Sequence, residues 1–214
     1  MRIRKAFILV DGQNDFVQPL GALSIPNARE AIPNILKLYE SGRFDFKLAT
    51  RDWHPSDHIS FAATHGAVPF SVKELNYGPQ VMWTTHCVAG THGAQLIPEF
   101  NELSFDAIFN KGTDANRECY SVFNYCDNEK TKFNRMIKSL LYVNGRELSE
   151  IVVCGYAGDF CVEATALGAK DLMPKVTFID DAVAYVDVTN RNATHIKLKN
   201  AGVSIMTTDE WLNS

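Results

Sequence analysis

Apolar residues in this chain come in short β-branched blocks, and most of the blocks are followed by a stretch with helical spacing. Residues 6–10, Ala-Phe-Ile-Leu-Val, are apolar without interruption and predict a strand buried on both faces that stops at Asp11. Residues 27–41 predict a helix with Asn27 as its N-cap and Gly42 as its stop. Pro33 inside that stretch predicts either a kink or the true first turn of the helix. Further strands are predicted at 46–50, ending at Arg51-Asp52, at 106–109, ending at Lys111, and at 151–154, 176–179 and 203–206. Later helices are predicted over 162–171 and 189–200. Strand and helix in alternation predict a three-layer α/β/α fold around a mostly parallel sheet of about six strands.

Two stretches break the rhythm. Residues 55–93 are rich in Gly, Pro, His and aromatics and have no clear period, which predicts a long loop covering a site. Residues 124–132 are a polar, charged excursion, read as a surface loop before a helix-like segment at 133–143. The sequence has no linker, internal repeat or low-complexity tract, so the expectation is a single domain over residues 1–214.

Composition narrows the function classes. At 214 residues, 46% hydrophobic and 21% charged, the chain can bury a full α/β core. Its net charge of −4, without a basic cluster, speaks against a nucleic-acid surface. With no apolar leader and no run long enough to cross a bilayer, no membrane partner is expected. The 5 cysteines, an odd number without regular spacing, argue against a disulfide framework and for a reducing, cytoplasmic setting. A homo-oligomer is compatible with all of this.

The predicted strand ends carry chemistry. In a parallel α/β sheet, ligands bind at the carboxyl ends of the strands. Those ends present Asp11, Asp52 with His54, Lys111, and the turn Gly155-Tyr156-Ala157-Gly158-Asp159-Phe160-Cys161. A cysteine at a strand-to-helix junction lies beside unpaired N–H groups and the positive end of the helix dipole, both of which favour a nucleophilic thiolate. Taken singly, each residue has an ordinary reading: an Asp caps a turn, a Lys is solvated, and a Cys, as with Cys154 in its strand, packs in a core. Four such groups on one sheet edge point to a site.

A second set involves histidines. Asp52 and His54 alternate, so extended chain points both side chains the same way. His58 follows, and His86 stands in Trp83-Thr84-Thr85-His86-Cys87-Val88-Ala89-Gly90-Thr91. One carboxylate and two imidazoles suit zinc or ferrous iron with positions left open, and on spacing alone loop capping by Asp52 and His54 is the alternative. His65, His92 and His195 read as surface residues.

The motifs Val10-Asp11-Gly12-Gln13-Asn14-Asp15-Phe16, Asp52-Trp53-His54-Pro55, His58-Ile59-Ser60-Phe61, His86-Cys87-Val88-Ala89-Gly90-Thr91, Lys111-Gly112-Thr113 and Asp159-Phe160-Cys161-Val162 resemble those of nicotinamidases, within the isochorismatase-like cysteine hydrolases. The resemblance runs in order over nearly the whole chain. It implies a catalytic set of Asp11, Lys111 and Cys161 and a divalent metal, zinc before iron or manganese, held by Asp52, His54 and His86, with His58 ranked second. It implies that Phe16, Trp83 and Tyr120 enclose a pyridine ring. A cis Tyr156–Ala157 peptide would aim the Ala157 and Cys161 N–H groups at one oxyanion. The activity implied is hydrolysis of nicotinamide to nicotinate and ammonia through a Cys161 thioester, in NAD salvage, with pyrazinamide also accepted. Departures from the family pattern are Gly12, in place of an apolar or β-branched residue, Gly158, in place of a common Thr, and the run Asn116-Arg117-Glu118-Cys119. The rivals are a metal-free cysteine amidase of the same superfamily and a catalytically silent zinc-binding or nucleotide-binding module. Cys161 argues against an isochorismatase proper, and the single glycine after the first strand argues against a phosphate loop.

Overall fold

Six parallel strands form the central sheet of the computed structural model, which describes residues 4–123, 148–173 and 175–214. They are β1 (Arg4–Val10), β2 (Phe46–Asp52), β5 (Ala107–Lys111), β6 (Leu148–Tyr156), β7 (Val176–Ala184) and β8 (Ser204–Met206). Their order across the sheet is β5-β2-β1-β6-β7-β8, and every pairing is parallel. β1 lies between β2 and β6, which explains its unbroken apolar run: Ala6 to Val10 are all 0% exposed, buried on both faces of the sheet. One core layer gathers around Phe7, Leu9 and Trp211, and the other around Ile8, Val153 and Phe178. This is the α/β/α arrangement that the alternation predicts.

Several boundaries differ from the sequence reading. β7 runs through the polar pair Asp180-Asp181 to Ala184, because it re-pairs with β6 after a register shift between Val153 and Gly155. Asp180 is held there by His195 and Arg191, and Asp181 accepts hydrogen bonds from Thr208. The 27–41 stretch is a 3₁₀ turn (Ala28–Ala31) followed by helix Ile32–Glu40. Pro33 falls in the first turn of that helix, where its missing N–H costs nothing, so the first-turn alternative holds and not the kink. Asn27 is left-handed (φ 56°) and makes no side-chain cap, contrary to expectation, while Gly42 (φ 69°) follows the helix end as read.

Short elements escaped the period analysis. They include the helices Asn14–Val17, Ala62–His65 and Pro98–Asn101, and the C-terminal helix Thr208–Leu212 with its Thr207/Glu210 capping box. Within the aperiodic 55–93 stretch, β3 (Val72–Leu75) and β4 (Gly78–Val81) form an antiparallel hairpin. Four or five residues are too few to display a period. The loop at 124–132 and the helix read over 133–143 lie outside the described residues. Among the described residues no helix is long and apolar enough to cross a membrane.

Candidate active site

Asp52 and Lys111 end neighbouring strands and are paired across the sheet. Asp11 follows β1 in a left-handed turn (φ 51°), and Cys161 opens the helix Cys161–Lys170 that follows β6. Strand-end placement therefore brings all four side chains together. Lys111, 1% exposed, lies 2.8 Å through Nζ from Asp11 Oδ2, 3.2 Å from Cys161 Sγ, and bonds Asp52 Oδ1. Thr50 donates to Asp11 Oδ1 at 2.7 Å.

Burial pushes the Asp11 carboxyl up to about 6, against the attraction of Lys111. Burial opposes the charge on Lys111, but Asp11 and Asp52 more than compensate and hold it firmly protonated. Burial also pushes the Cys161 thiol well above its usual range; Lys111 pulls it down, while Asp11 and Asp52 push it further up. Burial and the two carboxylates thus hold the sulfur toward its thiol form, against the helix N-terminus and Lys111, which favour the thiolate. Such a thiol needs a base, and the Asp11 carboxylate lies within 4.8 Å of the sulfur.

The second oxygen of Asp52 faces the imidazoles, with His54 Nε2 at 3.7 Å and His86 Nε2 at 3.9 Å. His54 Nδ1 donates to the Gly112 carbonyl at 2.9 Å and His86 Nδ1 to the Thr84 carbonyl at 2.7 Å. A carbonyl only accepts, so each Nδ1 carries hydrogen, and in the neutral ring Nε2 is left as a lone pair directed at Asp52. Among the described residues, His54 Nε2 is a buried polar atom without a hydrogen-bond partner. One ligand atom from each of Asp52, His54 and His86 lies within 4.8 Å of the others, a donor set and spacing that fit a divalent cation. Burial raises the Asp52 pKa, but Lys111 and His54 bring it well below the ordinary carboxylate range. Burial lowers His54, but the Asp52 charge carries it up to about 9, whereas burial and His54 take His86 down to about 4. The site attracts positive charge at His54 Nε2, where a proton and a metal would compete.

His58 is spoken for elsewhere: Nδ1 lies 2.8 Å from Ser60 Oγ and Nε2 3.2 Å from the Arg117 carbonyl. Its ring centroid is 4.2 Å from that of His54, and it belongs to a neighbouring group with His54 and the buried Glu118. Glu118 was visible in sequence only as an odd residue in its motif. His65 and His195, read as surface residues, are half-buried and bonded to the Ile59 carbonyl and to Asp180, while His92 is exposed.

An apolar pocket opens onto both sets. Phe16, Trp83 and Tyr120 line it with Cys161, Ala157, Asp52 and His86, and so do Leu23, Ile25, Phe160 and Val186, which the sequence reading missed. Phe160 packs edge-on against Trp83 at 4.8 Å, and its position next to Cys161 was the available signal. Tyr120 Oη accepts from Trp83 Nε1 and Gln80 Nε2, which fixes that wall. The Tyr156–Ala157 peptide is cis.

Two of the departures have steric causes. A Cβ at Gly158 would meet the Tyr185 ring at 2.8 Å, so the ring occupies space that a side chain would need. A Cβ at Gly12 would lie 2.5 Å from Phe100 Cδ2, inside the fully buried core. Gly12→Val should therefore lose about 1–3 kcal/mol of stability through overpacking, measured by urea unfolding. A wild-type midpoint would show that Phe100 can move aside.

The sequence profile of the isochorismatase domain matches residues 5–210. The chain belongs to this family. Among family relatives, the nicotinamidase of Escherichia coli (strain K12) is 33% identical, covering 97% of this chain and 96% of that protein. The solved nicotinamidase/pyrazinamidase of Acinetobacter baumanii superposes with TM-score 0.84 at 34% identity, over 97% of this chain and 98% of that one. The pyrazinamidase of Pyrococcus horikoshii in complex with zinc gives TM-score 0.72 at 32% identity, over 95% and 99% of the two chains.

Proposed function

We propose that this protein is a metal-dependent nicotinamidase, a hydrolase of one domain over residues 1–214 that converts nicotinamide and water to nicotinate and ammonia. The observation that carries the proposal is the position of Asp52: one carboxylate oxygen meets Lys111 of the Asp11–Lys111–Cys161 set, the other faces His54 and His86, and both sets open on one apolar pocket. The family relationship supports the same reading.

Asp52, His54 and His86 would hold the ion, and their nitrogen and oxygen donors suit zinc; the Pyrococcus horikoshii pyrazinamidase is solved in complex with zinc. When bound, the metal supplies a Lewis-acid anchor for a ring nitrogen. The walls formed by Phe16, Trp83 and Tyr120 would sandwich the flat ring and turn its carboxamide toward Cys161. Asp11, ionised and lifted toward neutrality by burial, takes the thiol proton as sulfur attacks the carbonyl carbon. Ala157 and Cys161 N–H groups would receive the oxyanion. Asp11 then passes its proton to the departing ammonia, leaving a Cys161 thioester. It next draws a proton from the water that attacks the thioester and returns it to the Cys161 sulfur as the C–S bond breaks and nicotinate leaves. Lys111 keeps its charge throughout and offsets the carboxylate and the developing thiolate. A cytoplasmic place in NAD salvage fits this reaction.

The substrate series nicotinamide, pyrazinamide and benzamide tests the proposal. Benzamide has the shape but no ring nitrogen, so on the metal-loaded enzyme its kcat/KM should fall about a hundredfold as the near-attack geometry degrades. Pyrazinamide keeps a nitrogen at the same ring position and should still turn over. Equal kcat/KM for nicotinamide and benzamide would replace this reading with a metal-independent amidase.

A further inference from the structure

The run Gln13-Asn14-Asp15 follows the Asp11 turn and takes no part in the chemistry above. All three side chains reach segments that carry the metal-ligand set. Gln13, completely buried, accepts from the Asp52 N–H at 2.8 Å and donates to the carbonyls of Asp52 and Ala94 at 2.7 and 3.0 Å. Its amide thus pairs with Asp52 as a neighbouring strand would. Asn14 Nδ2 donates to the His92 carbonyl at 2.9 Å.

Asp15 makes the more telling connection. Oδ2 accepts from the N–H of Cys87, the residue after His86, at 2.7 Å. Oδ1 accepts from the N–H of Ala22, the residue before Leu23 of the pocket wall, at 3.1 Å. Cys87 sits at φ 45°, a left-handed conformation that side chains with a Cβ seldom adopt, so its backbone needs an external hold. Thr84 closes the circuit, donating from Oγ1 to the Ala22 carbonyl at 2.7 Å and accepting from His86 Nδ1 through its own carbonyl.

We infer that Asp15 is a positioning residue that holds His86 against Asp52 and ties this metal ligand to the Leu23 wall of the substrate pocket. The inference rests on the metal-dependent reading of the site. A carboxylate accepting two backbone N–H groups makes charge-assisted bonds, stronger than neutral ones. Groups bonded directly to a ligand are worth about 10–100-fold in metal affinity, and Asp15, which holds the backbone beside His86, should reach the low end of that range. Without Asp15, the Cys87 N–H loses its acceptor and the left-handed turn is held only through its buried side chain and the bond from the His54 N–H to its carbonyl at 3.0 Å, so the preceding imidazole can shift off line.

The test compares wild type, Asp15→Asn and Asp15→Ala by zinc competition against a chromogenic chelator, without substrate, with circular dichroism as the check on folding. Asp15→Ala should weaken zinc at least about tenfold. Asp15→Asn, which retains one acceptor oxygen, should fall between Asp15→Ala and wild type, and KM for nicotinamide should rise in the same order as the Leu23 wall loosens. Wild-type zinc affinity in a folded Asp15→Ala protein would overturn the inference. Should that variant not fold, wild-type affinity in Asp15→Asn would overturn it equally. Absence of zinc uptake by the wild type itself would defeat the metal reading and the inference together, whereas normal uptake that is equal in every variant defeats the inference alone.

Discussion

Cys161→Ala lowers nicotinamide hydrolysis by more than about a thousandfold while leaving the fold and the metal-ligand set in place. The substitution removes the one atom that Lys111 and the Asp11 carboxylate converge on without touching Asp52, His54 or His86. Sγ is buried at the start of a helix, so alanine leaves a gap of a single atom, and the loss in stability should be small beside the loss in rate. Ammonia release by the purified variant, with zinc content and circular dichroism alongside, measures it. Residual turnover above about a hundredth of wild type would remove Cys161 from the nucleophile's role, because water attack without a thioester should not reach that rate.

His54→Ala and His86→Ala each lose bound zinc and most activity together. Each removes one of the three proposed donors, and a two-donor remnant should bind zinc more weakly by well over tenfold. The variants differ in what they leave behind. His54→Ala removes the imidazole whose proton competes with the metal, while His86→Ala leaves that proton in place beside Asp52. Zinc uptake by wild type should therefore weaken as pH falls through about 9, the value to which Asp52 lifts His54, since a protonated Nε2 is no ligand. Metal analysis by mass spectrometry, run with nicotinamide turnover on the same samples, decides the matter. Full occupancy in both variants would sink the ligand set.

The order of apolar blocks was enough to reach the fold. β1 is legible because a strand buried on both faces must be apolar throughout, and the strand ends at Asp11, Asp52 and Lys111 are legible because polar residues interrupt those runs where the chain leaves the sheet. The alternation of Asp52 and His54 holds because the chain stays extended past β2, where His54 bridges to Val88. The candidate site residues were thus visible as types at predicted places. What the sequence leaves unresolved is whatever depends on a partner distant in the chain. β7 continues beyond Asp180 because β6 re-pairs with it, and no local pattern carries that. Leu23, Ile25 and Val186 are ordinary apolar residues until the loops that bear them close over Cys161. Gly12 and Gly158 look like losses of side chain until Phe100 and Tyr185 are seen to fill the space. The electrostatics of Cys161 are likewise tertiary: the sequence places it at a helix N-terminus, which favours thiolate, while burial beside Asp11 and Asp52 pushes the thiol's pKa up. Charge and contact energies depend on distance through space, and the sequence specifies distance only along the chain.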